Sequence, residues 1–215
     1  EELQKESEKL FSDLKASAKK LSKSRMNFAK QLSDSITNEL SLLAMPNAKL
    51  FVDVIENDAE DSKSYSASGL NEVSFLFTSH KDGKLLSISK GASGGELSRV
   101  MLAVEVVLAK NSSVGTYIFD EVDAGIGGAV AETVGKLLRQ LGESHQILCV
   151  THLPQVAAQG NHHLKVSKSQ AGDKTLSQVT PLGRSERVEE VARMLGGATI
   201  TDTTRRHARE LLEQN

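Results

Sequence analysis

Residues 1–45 contain neither glycine nor proline, and their apolar positions recur at helical spacing. Leu14, Leu21 and Phe28 repeat every seven residues, and Leu10, Leu14, Ala18, Leu32 and Ile36 fill four-residue steps. The pattern predicts a coiled-coil-like helix with a seam interrupted by Ser17, Ser24 and Gln31; the competing reading is one amphipathic helix packed on a domain. Pro46 ends it. The period then changes from helical to alternating over Lys49 to Ile55, which reads as a strand, and Asn57 to Gly69 is a polar, serine-rich loop. Val73 to Thr78 reads as a second strand, turned by Lys81-Asp82-Gly83.

From Glu96 to about Lys110 a helix is predicted whose Leu97, Val100, Met101, Val104 and Leu108 line one face. Ala103, Val106 and Val107 make it apolar nearly all round, as a helix buried on a sheet would be. Two short apolar strands follow, Tyr117 to Phe119 and Ile147 to Val150. Between them lies a helix with Val130, Val134, Leu137 and Leu141 on one side, closed by Gly142 as a left-handed cap. Alternating strand and helix predict an α/β fold with a parallel sheet covered on both faces. His163 to Lys168 and Thr175 to Pro181 read as a hairpin about Ala171-Gly172-Asp173, and helices Glu186 to Leu195 and Asp202 to Glu213 close the chain around Gly196-Gly197. The composition change at Pro46 divides a stalk, 1–45, from an α/β lobe, 46–215.

At 215 residues, 39% hydrophobic and 25% charged, the chain has the makings of one domain plus an appendage. A net charge of −2 excludes a whole-chain electrostatic case for nucleic acid. Cys149 is the single cysteine, so an internal disulfide is excluded; a reducing cytoplasm is expected, with Cys149 buried in its strand. No apolar run approaches a membrane span and no signal peptide opens the chain. Because it begins at Glu1 without methionine, the chain is read as a fragment.

The candidate chemistry gathers where strands end. Ser93-Gly94-Gly95 stands at the threshold of the apolar helix, where bare glycines admit a ligand to the backbone and unpaired N–H groups favour an anion; the plainer reading is a glycine-softened helix cap. Asp120 and Glu121 follow the first short strand, and Thr151 and His152 follow the second, which is where open α/β sheets bind ligands. Adjacent carboxylates suit metal-assisted phosphoryl transfer, one holding Mg²⁺ and the other orienting or deprotonating a water. His162-His163 precedes a strand, where neighbouring side chains point to opposite faces, so a shared metal ion is not expected. Arg205, Arg206 and Arg209 form a basic patch for which a solvated face paired with Glu210 and Glu213 is favoured over contact with DNA phosphates, and Lys15, Lys19, Lys20, Lys23 and Arg25 are weighed in the same way.

Together, Ala92-Ser93-Gly94-Gly95-Glu96, the strand TYIFDE, and His152 resemble the ABC-type ATPases, and GASGGELSRVMLA, IFDEVDAGIGG, VTHLPQVAA and RMLGGATITDTTRRHARELL are similar to bacterial SMC-like ATPases of DNA repair. The resemblance covers residues 49 to 215 and implies the C-terminal lobe of an ABC/SMC-type head, a mostly parallel sheet flanked by helices, with residues 1–45 as a returning coiled-coil arm. It implies ATP and Mg²⁺ as cofactors. Asp120 serves the metal, Glu121 is the general base, and His152 contacts the γ-phosphate. Ser93, Gly94, Gly95 and Glu96 form the signature that grasps ATP held by a second protomer, and Asp123 bridges the dimer. The implied partners are an N-terminal lobe of the same protein, a second protomer and DNA, in a nucleoid-associated cytoplasmic setting without a membrane. The one large departure is that no G-x-x-x-x-G-K-[ST] occurs in the chain, so alone it is expected to hydrolyse ATP negligibly. Two other readings compete with a repair ATPase. One is a metal-dependent nuclease or phosphohydrolase with Asp120, Glu121 and Asp123 as ligands, and the other a non-catalytic interaction module.

Overall fold

In the computed structural model, which describes residues 1–109, 113–171, 174–197 and 199–213, the chain forms two compact units, 1–93 and 94–215. The first contains α1 (Glu2–Leu42), β1 (Lys49–Glu56), β2 (Asn71–Thr78), β3 (Leu86–Ser87) and the single turn α2 (Ile88–Gly91). The second contains α3 (Gly94–Leu108), β4 (Thr116–Phe119), α4 (Gly128–Leu141), β5 (Gln146–Cys149) and α5 (Pro154–Gln159), then β6 (Leu164–Ala171), β7 (Lys174–Pro181), α6 (Arg184–Gly196) and α7 (Asp202–Glu213).

In the first unit β1 lies antiparallel to β2, with Leu50 opposite Phe77 and Val52 opposite Phe75, and β2 continues to β3. The outer edge of β1 is closed by helix hydroxyls. The amide of Leu50 donates to Thr37 Oγ1 at 3.2 Å, and that of Val52 to Ser33 Oγ at 2.9 Å. An edge strand needs such partners for its unpaired amides, and here α1 supplies them. Ser22 plays a parallel part, donating to Glu56 and accepting from Asn71 Nδ2.

So α1 has two different faces. Ala18, Ser22, Ala29, Ser33, Ile36 and Leu40 are buried, whereas Leu10, Leu14, Leu21 and Phe28 stand 40–63% exposed along the other side. The buried face fits the reading of an amphipathic helix packed on a domain, and the helix belongs to one unit with the β-sheet that follows Pro46. Lys15 pairs with Glu60 from the loop after β1.

In the second unit β4 and β5 run parallel in register from Thr116 opposite Gln146 to Phe119 opposite Cys149. The alternation is cleaner than unbroken apolar strands suggest. Tyr117 and Phe119 are buried, while Ile118 is 72% exposed and Leu148 and Val150 43% and 61%. Among the described residues of this unit, the face carrying Ile118, Leu148 and Val150 is left exposed, where cover on both faces is expected from the sequence. Val100, Leu102, Ala103, Val134 and Leu141 are buried as well.

Gly142 also departs from expectation. Its φ of −68° is right-handed, and its amide closes α4 by donating to Leu138 O at 2.9 Å. A β-carbon there would meet Arg139 O at 3.1 Å, so close backbone rather than handedness favours glycine. The hairpin forms as expected, with Val166 opposite Val179; its Gly172-Asp173 tip lies outside the described residues, as does Lys110 beyond α3. Helices α6 and α7 pack through Val191, Ala192 and Ala208. The buried Glu190 bonds Arg193 and Lys165, and Arg193 foremost holds its carboxyl down at about 2.

Truncating the buried side of α1 and its exposed side should separate the two faces. Ile36→Ala should cost about 2–5 kcal/mol in urea unfolding, as buried aliphatic truncations do. Leu14→Ala should stay within about 0.5 kcal/mol, as exposed positions do.

Candidate nucleotide site

The site is built where β4 and β5 end and α3 begins. Beyond Phe119 the chain turns through Glu121, whose φ of +56° is left-handed, a conformation that costs a non-glycine residue about 1–2 kcal/mol. The turn closes with the Ala124 amide donating to Glu121 O at 3.0 Å. Helix α3 is fastened against it twice: Ser98 Oγ donates to Asp120 O at 2.6 Å, and Nη1 of the buried Arg99 donates to Ala124 O at 2.8 Å. Burial lowers the Arg99 pKa, opposed by Glu96.

This fastening gives the two glycines a role that the sequence does not reveal. A β-carbon on Gly95 would lie 2.9 Å from the Ala124 methyl, and one on Gly94 3.0 Å from Oε2 of Glu121. Side chains here would push the helix start off the turn and crowd the Glu121 carboxylate. The glycines therefore serve close packing within the chain, whatever else approaches them. Glu96 sits half-buried in the first turn of α3, and Ser93 is exposed as the last residue of the first unit.

Asp123 joins the two strand ends. It is 2% exposed, it accepts from Thr151 Oγ1, and it takes the backbone amide of His152 at 3.2 Å. Nδ1 of His152 lies 3.4 Å from the same carboxylate oxygen, while the ring is 72% exposed. The carboxylate thereby holds the His152 backbone and faces one side of its ring, leaving Nε2 as the outward nitrogen.

Of the residues expected to act, Asp120 and Glu121 are both exposed after β4, and His152 is exposed after β5. Asp123 is turned inward instead. Among the described residues no group of three or more His, Cys, Asp and Glu side chains could hold a metal ion, so the three-carboxylate nuclease centre does not form. His162 and His163 likewise form no such group. Ser98 and Arg99 escaped the sequence reading although they lie in the quoted motif. Their part depends on carbonyls that only the folded turn presents.

Cys149 ends β5 beside these carboxylates. Burial first, then the charges of Asp123 and Asp120, push its thiol up to about 12.

No family profile matches the chain. It is 45% identical to the DNA repair protein RecN of Vibrio cholerae over 203 residues, covering 94% of this chain and 36% of that protein. RecN of Streptomyces coelicolor is 43% identical over 215 residues, and RecN of Bacillus subtilis 37% over 222 residues, covering 97% and 99% of this chain and 38% of each relative. The chain belongs to the RecN family over the length it spans. That length is little more than a third of the RecN relatives' own.

Among solved structures, the Pyrococcus furiosus Smc head domain with an extended coiled coil, bound to the C-terminal domain of ScpA, matches with a TM-score of 0.58 at 20% identity. It covers 90% of this chain and 45% of that one. The Pyrococcus yayanosii Smc head with a coiled coil and joint matches with 0.53 at 19% identity, covering 77% and 29%. The chain thus has the α/β fold of SMC head domains, and no helix among its described residues is long and apolar enough to cross a membrane.

Two outcomes follow from the geometry. Cys149, its thiol pushed well above the ordinary range by burial, should react more slowly with iodoacetamide in the native state than after unfolding, as mass spectrometry would register. A thiol pKa raised on folding adds stability below its ordinary value, and the contribution fades as pH climbs toward 12. Asp123→Asn should cost about 1–3 kcal/mol in denaturant unfolding and quicken amide exchange at His152, because one buried acceptor serves Thr151 and His152 together.

Proposed function

We propose that the chain is the C-terminal lobe, with part of the stalk, of an SMC-like ATPase that couples ATP-driven head dimerisation to DNA double-strand-break repair. The observation behind this reading is the close assembly of the Asp120-Glu121 turn, the Gly94-Gly95 helix start and the Asp123–Thr151–His152 link at the carboxyl ends of two parallel strands. The name of the RecN relatives supports the repair assignment, and the SMC-head fold supports the ATPase.

Asp120 fits a Mg²⁺ ion that keeps most of its water. It is one exposed carboxylate at a strand end, and Mg²⁺ is commonly held by one or two carboxylates plus substrate phosphates. Bound there, the ion would neutralise charge developing on the phosphates. Glu121, poised on its left-handed turn, orients or deprotonates the attacking water. His152 directs its outer nitrogen toward the γ-phosphate, and Asp123, beyond any part at a dimer interface, positions that ring. Ser93 and the first amides of α3 meet the ATP held by the partner protomer.

The exposed sheet face of Ile118, Leu148 and Val150 suits an N-terminal lobe of the same protein bringing the phosphate-binding loop, and the exposed Leu10–Leu14–Leu21–Phe28 side of α1 suits the outgoing arm of a coiled coil. The nuclease reading loses its basis, since its third carboxylate is engaged inside the fold.

In the full-length protein, Glu121→Gln should lower ATP hydrolysis by about a hundredfold or more while preserving ATP-dependent dimerisation. Ser93→Arg should abolish that dimerisation in analytical ultracentrifugation. Dimers that persist in the arginine variant would refute the role of the signature across the interface.

A further inference from the structure

In the second unit a cleft of about 480 Å³ opens between the α5–β6 connection, the start of α6 and the end of α7. Its polar rim is Arg184, Arg187, Arg209, His162 and His163, against the single acid Glu213, and its floor is Leu182, Val188 and Leu212. Arg184 and Arg209 also border an adjoining hollow of about 560 Å³ toward Glu186 and Glu189. Those two acids are engaged elsewhere, Glu186 accepting from the Gly183 amide at 2.8 Å and Glu189 from Arg205 at 2.8 Å. Among the described residues Arg205 pairs with Glu189 and Asp202, where the sequence suggests Glu210 and Glu213 for this face.

The arginines differ in duty. Arg187 is committed to structure, with its guanidinium donating to Ala158 O at 2.8 Å and Ala157 O at 3.3 Å, and to Gly160 O, so that it clamps the end of α5. Arg184 and Arg209 are exposed, with no ion pair among the described residues. Two nitrogens in the cleft wall, Nε of Arg187 and Nδ1 of His163, are buried without a hydrogen-bond partner among the described residues. Arg187 Nε is a donor in every protonation state, so an acceptor brought into the cleft is what this wall is short of.

We propose that this cleft docks an acidic peptide segment of a partner protein, its carboxylates meeting Arg184 and Arg209 and an aliphatic side chain filling the Leu182–Val188–Leu212 floor. A concave site with an apolar base and a cationic rim suits such a ligand. A polynucleotide backbone suits it less well, because it has no aliphatic group for the floor and the cleft offers no Phe, Tyr or Trp for base stacking. The proposal is independent of nucleotide, since none of these residues belongs to the strand-end site.

The test is fluorescence anisotropy on the full-length protein without ATP, using a fluorescein-labelled peptide Glu-Asp-Leu-Asp-Glu-Leu. Saturable binding with a Kd on the order of 10–100 μM is expected, weakening as salt rises. Arg184→Glu with Arg209→Glu should weaken it about tenfold or more, and the isosteric amide peptide Gln-Asn-Leu-Asn-Gln-Leu should not bind. Should the double variant unfold, Arg184→Gln alone and the shift of the His163 ring resonances on peptide addition decide the matter. Absence of saturable binding, indifference to the arginine changes, unmoved His163 resonances, or equal displacement by inorganic phosphate or a duplex oligonucleotide would each overturn the proposal.

Discussion

The arrangement of the strand ends depends on one buried carboxylate. Asp123 sits on the loop leaving β4 and accepts from the Thr151 hydroxyl and the His152 amide on the loop leaving β5. Two parallel strands of four residues each hold their own register through the backbone, but their loops have no such ladder. A charged acceptor removed from water supplies the link, at a desolvation cost that its several donors offset. Everything placed at the strand ends, from the Glu121 turn to the exposed His152 ring, is positioned relative to that link.

A second constraint works from the other side. Helix α3 approaches the same turn closely enough that a methyl group on Gly95 could not be accommodated without movement. Ser98 and Arg99 then bind the turn's carbonyls. The glycine pair is thus a packing device first. Packing and phosphate recognition ask for the same small residues, which is why a sequence motif can look wholly devoted to a ligand while also holding the fold together.

The surfaces left apolar are as informative as the cores. In α1, one face gives hydroxyls to the β1 edge and aliphatic groups to the interior, while the opposite side presents leucines to solvent. In the second unit, the outer side of β4 and β5 is exposed in the same way. Both are ordered secondary structure with one satisfied face.

Strand and helix order, and the placing of Asp120, Glu121, Ser93 and His152 at element ends, were readable because they rest on local period and on short motifs. The helix expected from Glu186 to Leu195 and the strand from Lys49 to Ile55 lie within the observed elements for that reason. The inward turn of Asp123, the right-handed Gly142, the exposed sheet face and the bonds of Ser98 and Arg99 were not readable. Each depends on which distant backbone or side chain arrives opposite, and residues such as Asp123 and Thr151 are 28 positions apart in the chain. Amino-acid order sets the period of each element and the chemistry available at its ends; the meeting of those ends decides which carboxylate faces water and which is spent on the fold, because desolvation and hydrogen bonding exist only between groups that folding has brought together.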